Sequence, residues 1–244
     1  MKKVAVVTGA SRGIGRAIAV RLARMGYAVA VCYYKSTDAA LALVKQLRSV
    51  GAEADAFACD VADSASVTAL ADAVRERLGE VTVLVNNAGI AQQKLFTDIT
   101  DAEWDRMLGV HLTGAFYTGR AFLPSMIREH NGCIINVSSM WGQVGGSCEV
   151  HYSAAKAGLI GLTKALAKEV GPAGVRVNCV APGVILTDMM KGFDEDTLQT
   201  LADETPLMKP GVPDDVANTV AFLVSDEASY ITGQVIAPNG GLVI

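Results

Sequence analysis

The 244-residue chain alternates short apolar segments with longer amphipathic ones, and this alternation restricts its fold more than any other feature. Segments 3–7, 28–34, 54–59 and 82–85 are short and apolar, which is typical of buried strands. Helical periodicity fills the intervals, up to about residues 25, 50 and 78. Strands separated by single helices form a parallel sheet with right-handed crossovers. We therefore predict one domain, residues 1–244, with a doubly wound, Rossmann-type α/β fold. Segments 133–137, 175–180 and 234–237 complete a seven-stranded sheet.

Composition excludes several classes of protein. Hydrophobic residues make up 51% of the chain and charged residues 19%, so a disordered chain is excluded. The formal net charge is −4 and there is no basic stripe, which argues against a nucleic-acid partner. Five scattered cysteines and three histidines provide no metal-ligand spacing, so we expect no metal and reduced thiols in a cytoplasmic protein. No run of about 18 apolar residues predicts a membrane span.

The first predicted strand runs into a glycine-rich turn with the spacing Gly-x-x-x-Gly-x-Gly, and a helix follows. This geometry directs backbone N–H groups and a helix N-terminus toward a phosphate. Such a turn is weak evidence by itself, because many α/β loops contain one. The candidate cofactor-binding residues of this loop are Gly9, Ser11, Arg12, Gly13, Ile14 and Gly15.

The end of the second strand indicates which dinucleotide is bound. NAD-binding folds place an acid there for the ribose 2′-hydroxyl, but this strand ends at Tyr34 and Lys35, with no acid before Asp38. Lys35 and Arg12 are instead suited to a 2′-phosphate. We predict NADP(H) as the cofactor; the alternative is that both cations are solvated surface charges and that NAD(H) binds.

Two further strand ends contribute cofactor candidates. Asp60 and Val61 follow the third strand, and Asp60 either accepts from the adenine amino group or caps the helix that begins near Ser64. The fourth strand ends in small and polar residues that suit the passage of a ribose. They are Asn87, Ala88 and Gly89.

The stretch from Asn136 to Lys156 contains the predicted chemistry. Tyr152 and Lys156 lie four apart on a helix and project from one face, and Ser139 stands thirteen residues before Tyr152. A tyrosine pKa near 10 is high for proton exchange, and a nearby ammonium lowers it. Tyr152 can then protonate a carbonyl oxygen that Ser139 holds by a hydrogen bond. The alternative is an ordinary tyrosine beside an exposed lysine.

Five motifs occur in order along the chain. They are Thr8-Gly9-x-x-x-Gly13-Ile14-Gly15, Asn86-Asn87-Ala88-Gly89, Ser139, Tyr152-x-x-x-Lys156 and Pro182-Gly183. Together they resemble the short-chain dehydrogenase/reductase family, and the resemblance extends to the closing Asn239-Gly240-Gly241.

The resemblance implies roles for individual residues. Ser139 positions the carbonyl, Tyr152 donates the proton, and Lys156 also binds the nicotinamide ribose. The resemblance also implies that Asn87 lies along the cofactor and that Tyr152 and Lys156 are cofactor-binding residues. The remaining implied cofactor residues follow the sixth strand: Pro182, Gly183, Ile185 and Thr187.

The resemblance also bears on the substrate. The glycine loop and segment 181–189 are most similar to 3-oxoacyl-[acyl-carrier-protein] reductases of fatty acid biosynthesis. The segments 139–142 and 147–149 also resemble reductases of a ketone attached to a lysine of elongation factor P. The expected activity is therefore reduction of a 3-oxoacyl thioester, with the elongation factor P ketone or another small ketone as the alternative. A non-catalytic NADP-binding regulator is a remote third reading.

One position departs from the family pattern. The family often has an asparagine in the helix after Asn-Asn-Ala-Gly, and this chain has His111 there. The family's asparagine seats a water that connects Lys156 to solvent. An imidazole both donates and accepts hydrogen bonds, so His111 is a candidate for the same relay. The alternative is a histidine that only fills the space.

Two segments predict features beyond the active site. The helix at 152–170 is apolar over more than one face, which favours a second subunit against it, and the family is commonly tetrameric. We therefore expect a homotetramer. The segment at about 187–210 is long and acidic, with several apolar side chains, and it is either a substrate lid or an ordinary helical excursion.

Overall fold

The computed structural model describes residues 2–187 and 194–244, and these residues form one seven-stranded parallel sheet with helices on both faces. The strands are β1 (Val4–Val7), β2 (Ala28–Tyr33), β3 (Ala54–Ala58), β4 (Val83–Asn86), β5 (Gly132–Val137), β6 (Val175–Val180) and β7 (Val235–Ile236). Their order across the sheet is β3-β2-β1-β4-β5-β6-β7. The predicted doubly wound α/β fold is confirmed.

Helices connect successive strands, as the alternating sequence pattern predicted. The α-helices within the described residues are α1 (Gly13–Arg24), α2 (Thr37–Ser49), α3 (Ser64–Arg77), α4 (Asp101–Leu108), α5 (Gly114–Arg128), α6 (Trp141–Val144), α7 (Val150–Val170), α8 (Glu195–Glu204) and α9 (Pro213–Val224). No helix in the described ranges is long and apolar enough to cross a membrane.

The sheet separates two hydrophobic cores, because successive side chains of a strand point to opposite faces. In β1, Ala5 and Val7 face a core that includes residues of α1, α2 and α9. Val4 and Val6 face a second core that includes residues of α3 and α5. Parallel strands covered on both faces read as continuous apolar runs, which is why their sequence shows no alternation.

The strand order reverses between β1 and β4, the two strands that begin the two halves of the sheet. In doubly wound folds the ligand crevice opens at the carboxyl ends of the strands at this point. The glycine loop after β1 and the Asn-Asn-Ala-Gly segment at the end of β4 therefore meet at one edge.

The segment between α4 and α5 is a single π-helical turn, Gly109–Thr113. Helix α4 begins with a capping box, in which Thr100 and Glu103 satisfy each other's backbone N–H groups. Single π-turns are frequent at functional sites, because the extra residue redirects a side chain. Here the buried residues of the turn are Val110 and His111.

The predicted lid at about 187–210 lies partly outside the described residues. Of this segment, the structure describes 187 and 194–210, where Asp194 caps α8 by accepting a hydrogen bond from the Thr197 backbone at 2.8 Å. The lid stays a prediction.

Candidate active site

The glycine loop is fastened to the end of β4 by the side chain of Thr8. Its hydroxyl accepts hydrogen bonds from the backbone N–H groups of Asn87 and Ala88, both at 2.9 Å. In return, the Asn87 side chain donates to the Thr8 carbonyl at 2.9 Å. These contacts fix the two predicted cofactor loops against each other before any ligand binds.

Two glycines of the loop are required by this contact. Gly9 has φ of +64°, and a Cβ there would lie 2.9 Å from the Ala88 Cα. A Cβ at Gly15 would lie 2.5 Å from the Asn87 side-chain nitrogen. Either substitution would separate the loop from β4. Arg12 forms the N-cap position of α1, its side chain is exposed, and Ser11 beside it is buried.

The far wall of the crevice comes from the segment after β6. The Pro182 carbonyl accepts a hydrogen bond from the Met140 backbone at 2.9 Å, which ties this segment to the loop after Ser139. The Gly183 N–H donates to the Pro238 carbonyl at 3.2 Å, and Ile185 is buried. Thr187 lies beside the glycine loop, since a Cβ at Gly13 would be 3.6 Å from its methyl group.

The three predicted catalytic side chains come together at the carboxyl ends of β5 and β6. Ser139 is buried, and its hydroxyl accepts from the Trp141 backbone at 3.2 Å. The Tyr152 hydroxyl lies near enough to Ser139 for that side chain to lower its pKa. Lys156, one turn further along α7, is buried and lies with its Nζ 5.6 Å from the centre of the Tyr152 ring.

The Lys156 ammonium is held by the end of β5. Its Nζ donates to the Val137 carbonyl at 2.6 Å, and burial lowers its pKa to about 8. The backbone around it is also fixed, because the Ser138 hydroxyl donates to the Lys156 carbonyl at 2.9 Å. An ammonium has three donors, so donors remain for a ligand.

The expectation that Lys156 lowers the pKa of Tyr152 is wrong for the cofactor-free protein. Burial raises the pKa of Tyr152 to about 12, the neighbouring Ser139 side chain offsets part of this, and the Glu149 carboxylate adds to the rise. Loss of hydration around the phenolate therefore exceeds any attraction by the ammonium. Tyr152 is fully protonated at neutral pH, the state that a proton donor requires.

His111 packs directly on this group. It is buried, and its Nε2 lies 2.8 Å from the Ile90 carbonyl oxygen and 3.1 Å from the Ile90 nitrogen. Burial, and after it the charge of Lys156, holds the pKa of His111 well below its ordinary value, so His111 resists protonation. The Ile90 carbonyl suits a proton on Nε2, which would leave Nδ1 as an acceptor, and the Ile90 N–H suits the other tautomer. Gly89 provides the space, since a Cβ there would lie 2.6 Å from the imidazole.

A small cavity separates His111 from Lys156. Its volume is about 10 Å³, roughly what one water molecule requires. Thr8, Asn86, Val61 and Ala88 also line it. Within the part of the chain that the structure describes, His111 Nδ1 has no hydrogen-bond partner.

Comparison with known proteins agrees with this geometry. A family model described as Enoyl-(Acyl carrier protein) reductase matches residues 9–243. The chain belongs to the short-chain dehydrogenase/reductase family.

Curated relatives match nearly the whole chain. The chain is 45% identical over 242 residues to the 3-oxoacyl-[acyl-carrier-protein] reductase FabG of Staphylococcus aureus (strain Mu50 / ATCC 700699), covering 99% of this chain and 98% of the relative. It is 41% identical over 240 residues to the protein of the same name from Escherichia coli (strain K12), covering 98% and 97%. The chain is thus an oxidoreductase of the class that acts on a CH–OH/C=O pair, in a family that binds NAD(P)H.

At the carboxyl ends of β2 and β3 the structure differs from one expectation. Asp60 does not cap α3; the cap is Asp63, which accepts from the Ala65 backbone at 2.9 Å. The Asp60 carboxylate pairs instead with Arg106 of α4 at 2.9 Å. Tyr34 and Lys35 follow β2, and both side chains are exposed.

Sequence reasoning missed a buried polar network behind the reductase site. The Asn86 amide donates to Asn136 at 2.9 Å, and Asn136 donates to Thr163 of α7 at 2.9 Å. Thr118 of α5 donates to Asn86 at 2.6 Å. The signal was present, because asparagines inside otherwise apolar strands need internal partners. The network fixes α7, and with it Tyr152, against β5.

A second unforeseen set of contacts links the start of α7 to α4. His151 is fully buried, and its Nε2 lies 2.9 Å from the Gln92 side-chain oxygen. The Gln92 nitrogen donates to Glu103 at 2.6 Å, and Lys94 donates to the same carboxylate at 2.9 Å. This chain of bonds holds the Gln92 amide between His151 and Glu103.

Proposed function

We propose that this protein is an NADPH-dependent reductase that transfers a hydride to a ketone, with a 3-oxoacyl thioester as the principal substrate. The observation that carries the proposal is the convergence of Ser139, Tyr152 and Lys156 beside the glycine loop. The FabG relatives, named for reduction of 3-oxoacyl-[acyl-carrier-protein], support the substrate class.

The roles of the side chains follow from their chemistry. When bound, the nicotinamide would supply a hydride for the carbonyl carbon. Ser139 donates a hydrogen bond to the carbonyl oxygen and stabilises the negative charge that develops there. Tyr152 gives its proton to that oxygen. Lys156 holds the nicotinamide ribose with its remaining donors and stabilises the phenolate left on Tyr152.

We propose that His111 seats the water that connects Lys156 to solvent, through which the proton lost by Tyr152 is replaced. With the His111 proton on Nε2, a water in the cavity beside Lys156 would accept from the ammonium and donate to Nδ1, which has no other partner in the described residues. Two or more polar partners are what a buried water needs. Neutral His111 thereby takes the place of the family's asparagine.

The preference for NADP(H) over NAD(H) is proposed from the charges of Arg12 and Lys35. Arg12 and Lys35 are both exposed at the adenosine side of the crevice, where each can pair with a 2′-phosphate. An acid that would repel the phosphate is absent from the loop before Asp38. NADP(H) is therefore proposed over NAD(H).

The surface gives only modest support for an acidic carrier protein. Arg128 is paired with Glu80 and Glu129, at 3.2 and 3.0 Å. Arg176 donates to the backbone carbonyls of Leu223, Ile231 and Ser225, the nearest at 2.7 Å. These cations already have partners, so carrier binding would depend on exposed groups such as Lys168.

A second candidate substrate is a ketone carried on a basic group, as in modified elongation factor P. One observation favours it: the Glu149 carboxylate is close enough to Tyr152 to raise its pKa. A carboxylate beside the reacting carbonyl attracts a cationic substrate and repels an acidic one. Gln93 holds Glu149 there with a hydrogen bond of 3.3 Å.

Two further features are proposed with the function. The chain is a homotetramer built on α7, where small side chains at Ala154, Ala157, Gly161 and Ala165 form an exposed stripe suited to close helix packing. The segment at about 187–210 is a substrate lid over a single reductase domain that spans residues 1–244.

NADPH consumption with a panel of substrates tests the proposal. The panel contains a 3-oxoacyl-[acyl-carrier-protein], the same acyl group as a small thioester, simple ketones, and ketone-modified elongation factor P. Best turnover of the 3-oxoacyl thioesters is expected. Turnover of the elongation factor P ketone alone, reduced in Glu149→Gln, would establish the second candidate. NADPH binding without turnover of any ketone would point to a regulator.

A further inference from the structure

Arg106 belongs to none of the motifs that identify the family, yet it lies between two of the predicted cofactor residues. Its Nη1 donates to both oxygens of Asp60, at 2.9 and 3.2 Å. Its guanidinium carbon lies 5.5 Å from the centre of the Tyr34 ring. Helix α4 thus reaches across the carboxyl ends of β2 and β3 through this one side chain.

The pairing leaves Asp60 able to bind a ligand. Its carboxylate accepts two hydrogen bonds from Arg106 and one from the Ala62 backbone at 3.0 Å. A carboxylate has about four acceptor positions, so one remains on the oxygen that Ala62 does not use. Arg106 and Ala62 together fix the direction of that position.

The guanidinium also keeps an open face. The Arg106 side chain is 40% exposed, and Tyr34 is 53% exposed. Lys35 lies 5.2 Å from the same ring. A planar guanidinium stacks on aromatic surfaces, and a purine is such a surface. Arg106 and Tyr34 therefore provide two flat groups at the place where Asp60 presents its free acceptor.

We propose that Arg106 is a cofactor-binding residue, whose guanidinium packs against the adenine ring while Asp60 accepts from the adenine amino group. This inference rests on the dinucleotide binding in the proposed function. The charge of Arg106 is offset by Asp60, so its contribution is to the adenine that NADPH and NADH share. The preference for NADPH, which alone carries the 2′-phosphate, comes from Arg12 and Lys35.

The test is the dissociation constants of NADPH and NADH for wild type and Arg106→Ala. Both constants should rise by the same factor, about tenfold, and their ratio should stay unchanged. Arg106→Lys keeps the ion pair but loses the planar group, so its dissociation constants should fall between those of wild type and those of Arg106→Ala. Thermal unfolding of each variant shows that it is folded.

Arg77→Ala is a matched control. Arg77 also pairs with an aspartate, Asp55, and lies 4.5 Å from an aromatic ring, that of Phe57. Asp55 lies within β3, whereas Asp60 follows its carboxyl end. Removing Arg77 should leave both dissociation constants unchanged.

Binding of cofactor fragments shows which half of the dinucleotide Arg106 contacts. Arg106→Ala should weaken ADP and leave nicotinamide mononucleotide unchanged. Unchanged NADPH and NADH affinities in the folded variant would overturn the inference alone, and so would a loss confined to NADPH, which would make Arg106 a phosphate ligand. If wild type bound neither dinucleotide, both the inference and the proposed function would fall.

Discussion

His111 meets Tyr152 edge to face, with ring centres 5.2 Å apart and the planes at 89°. The imidazole that replaces the family's asparagine therefore touches the proposed proton donor and also borders the cavity beside Lys156. It lies on a π-helical turn, and a glycine at position 89 provides the space for it. This arrangement gives the histidine two separable roles, packing and proton relay.

Replacing His111 with asparagine should keep turnover close to wild type. The asparagine side-chain oxygen offers the acceptor that His111 Nδ1 presents now. The measurement is turnover with saturating NADPH from pH 6 to 9. A loss of turnover as large as that of the leucine variant would show that the imidazole itself is required.

His111→Leu should lose turnover more than NADPH affinity, because it fills the space but removes the acceptor. Dissociation constants for NADPH, measured alongside turnover, separate the two effects. If His111→Leu matches wild type across that pH range, the histidine is a space-filler. His111→Asn is the control for the volume change.

Tyr152→Phe should lower turnover at least 100-fold and leave NADPH binding nearly intact. It removes the hydroxyl that donates the proton, and general acid catalysis typically contributes about 10²–10⁴-fold. The ring still packs against His111. Steady-state rates and NADPH dissociation constants check this, and near-normal reductase activity would contradict the proposed mechanism.

NADPH should bind at least tenfold more tightly than NADH, and Lys35→Ala should reduce that preference. A charge-assisted hydrogen bond contributes about 1.5–3 kcal/mol, and one to the 2′-phosphate is made only with NADPH. Titration of each cofactor gives the two dissociation constants. Lys45→Ala removes an exposed charge from the middle of α2 and is the control. Equal constants in wild type would count against the NADP(H) assignment.

Lys156→Met should stabilise the cofactor-free protein at pH 7, by up to roughly 3 kcal/mol. Burial lowers the pKa of Lys156 from 10.5 to about 8, so the folded state loses this proton before the unfolded state does. The cost of the buried cation is therefore fully present below pH 8 and is relieved as the pH rises toward 10.5. Denaturant unfolding of wild type and Lys156→Met at pH 7 and pH 9 measures this difference in the free energy of unfolding. A stability difference that does not change with pH would contradict the shift.

The strands and the ends of the three helices that connect the first four strands could be predicted closely from local pattern. Predicted strand 175–180 is β6 as observed, and the predicted helix at 64–78 ends one residue early, at Arg77. Short apolar runs between amphipathic helices determine a parallel sheet, because each strand must be covered on both faces. The approach of Ser139, Tyr152 and Lys156 followed from the same pattern and from helical spacing.

The local sequence pattern could not predict the pKa values of buried groups or the partners of charged ones. A lysine four residues from a tyrosine predicts a lowered tyrosine pKa, but burial raises the pKa of Tyr152 to about 12. Desolvation depends on every group packed around the hydroxyl, and those groups come from distant parts of the chain. Distance along the chain also explains why Asp60 was a candidate helix cap. Its actual partner, Arg106, is 46 residues away and could not be predicted from neighbouring residues.

The sequence by itself determined the doubly wound sheet, the crevice at its carboxyl edge and the residue types that meet there, because these follow from strand and helix periodicity and from glycine spacing. Only the tertiary structure decided which side chains touch: Asn86 with Asn136, Gln92 with His151, and Arg106 with Asp60. Such contacts join residues from different elements, and their energies depend on burial and on directions within a few tenths of an ångström. Neither quantity is encoded in the order of neighbouring residues.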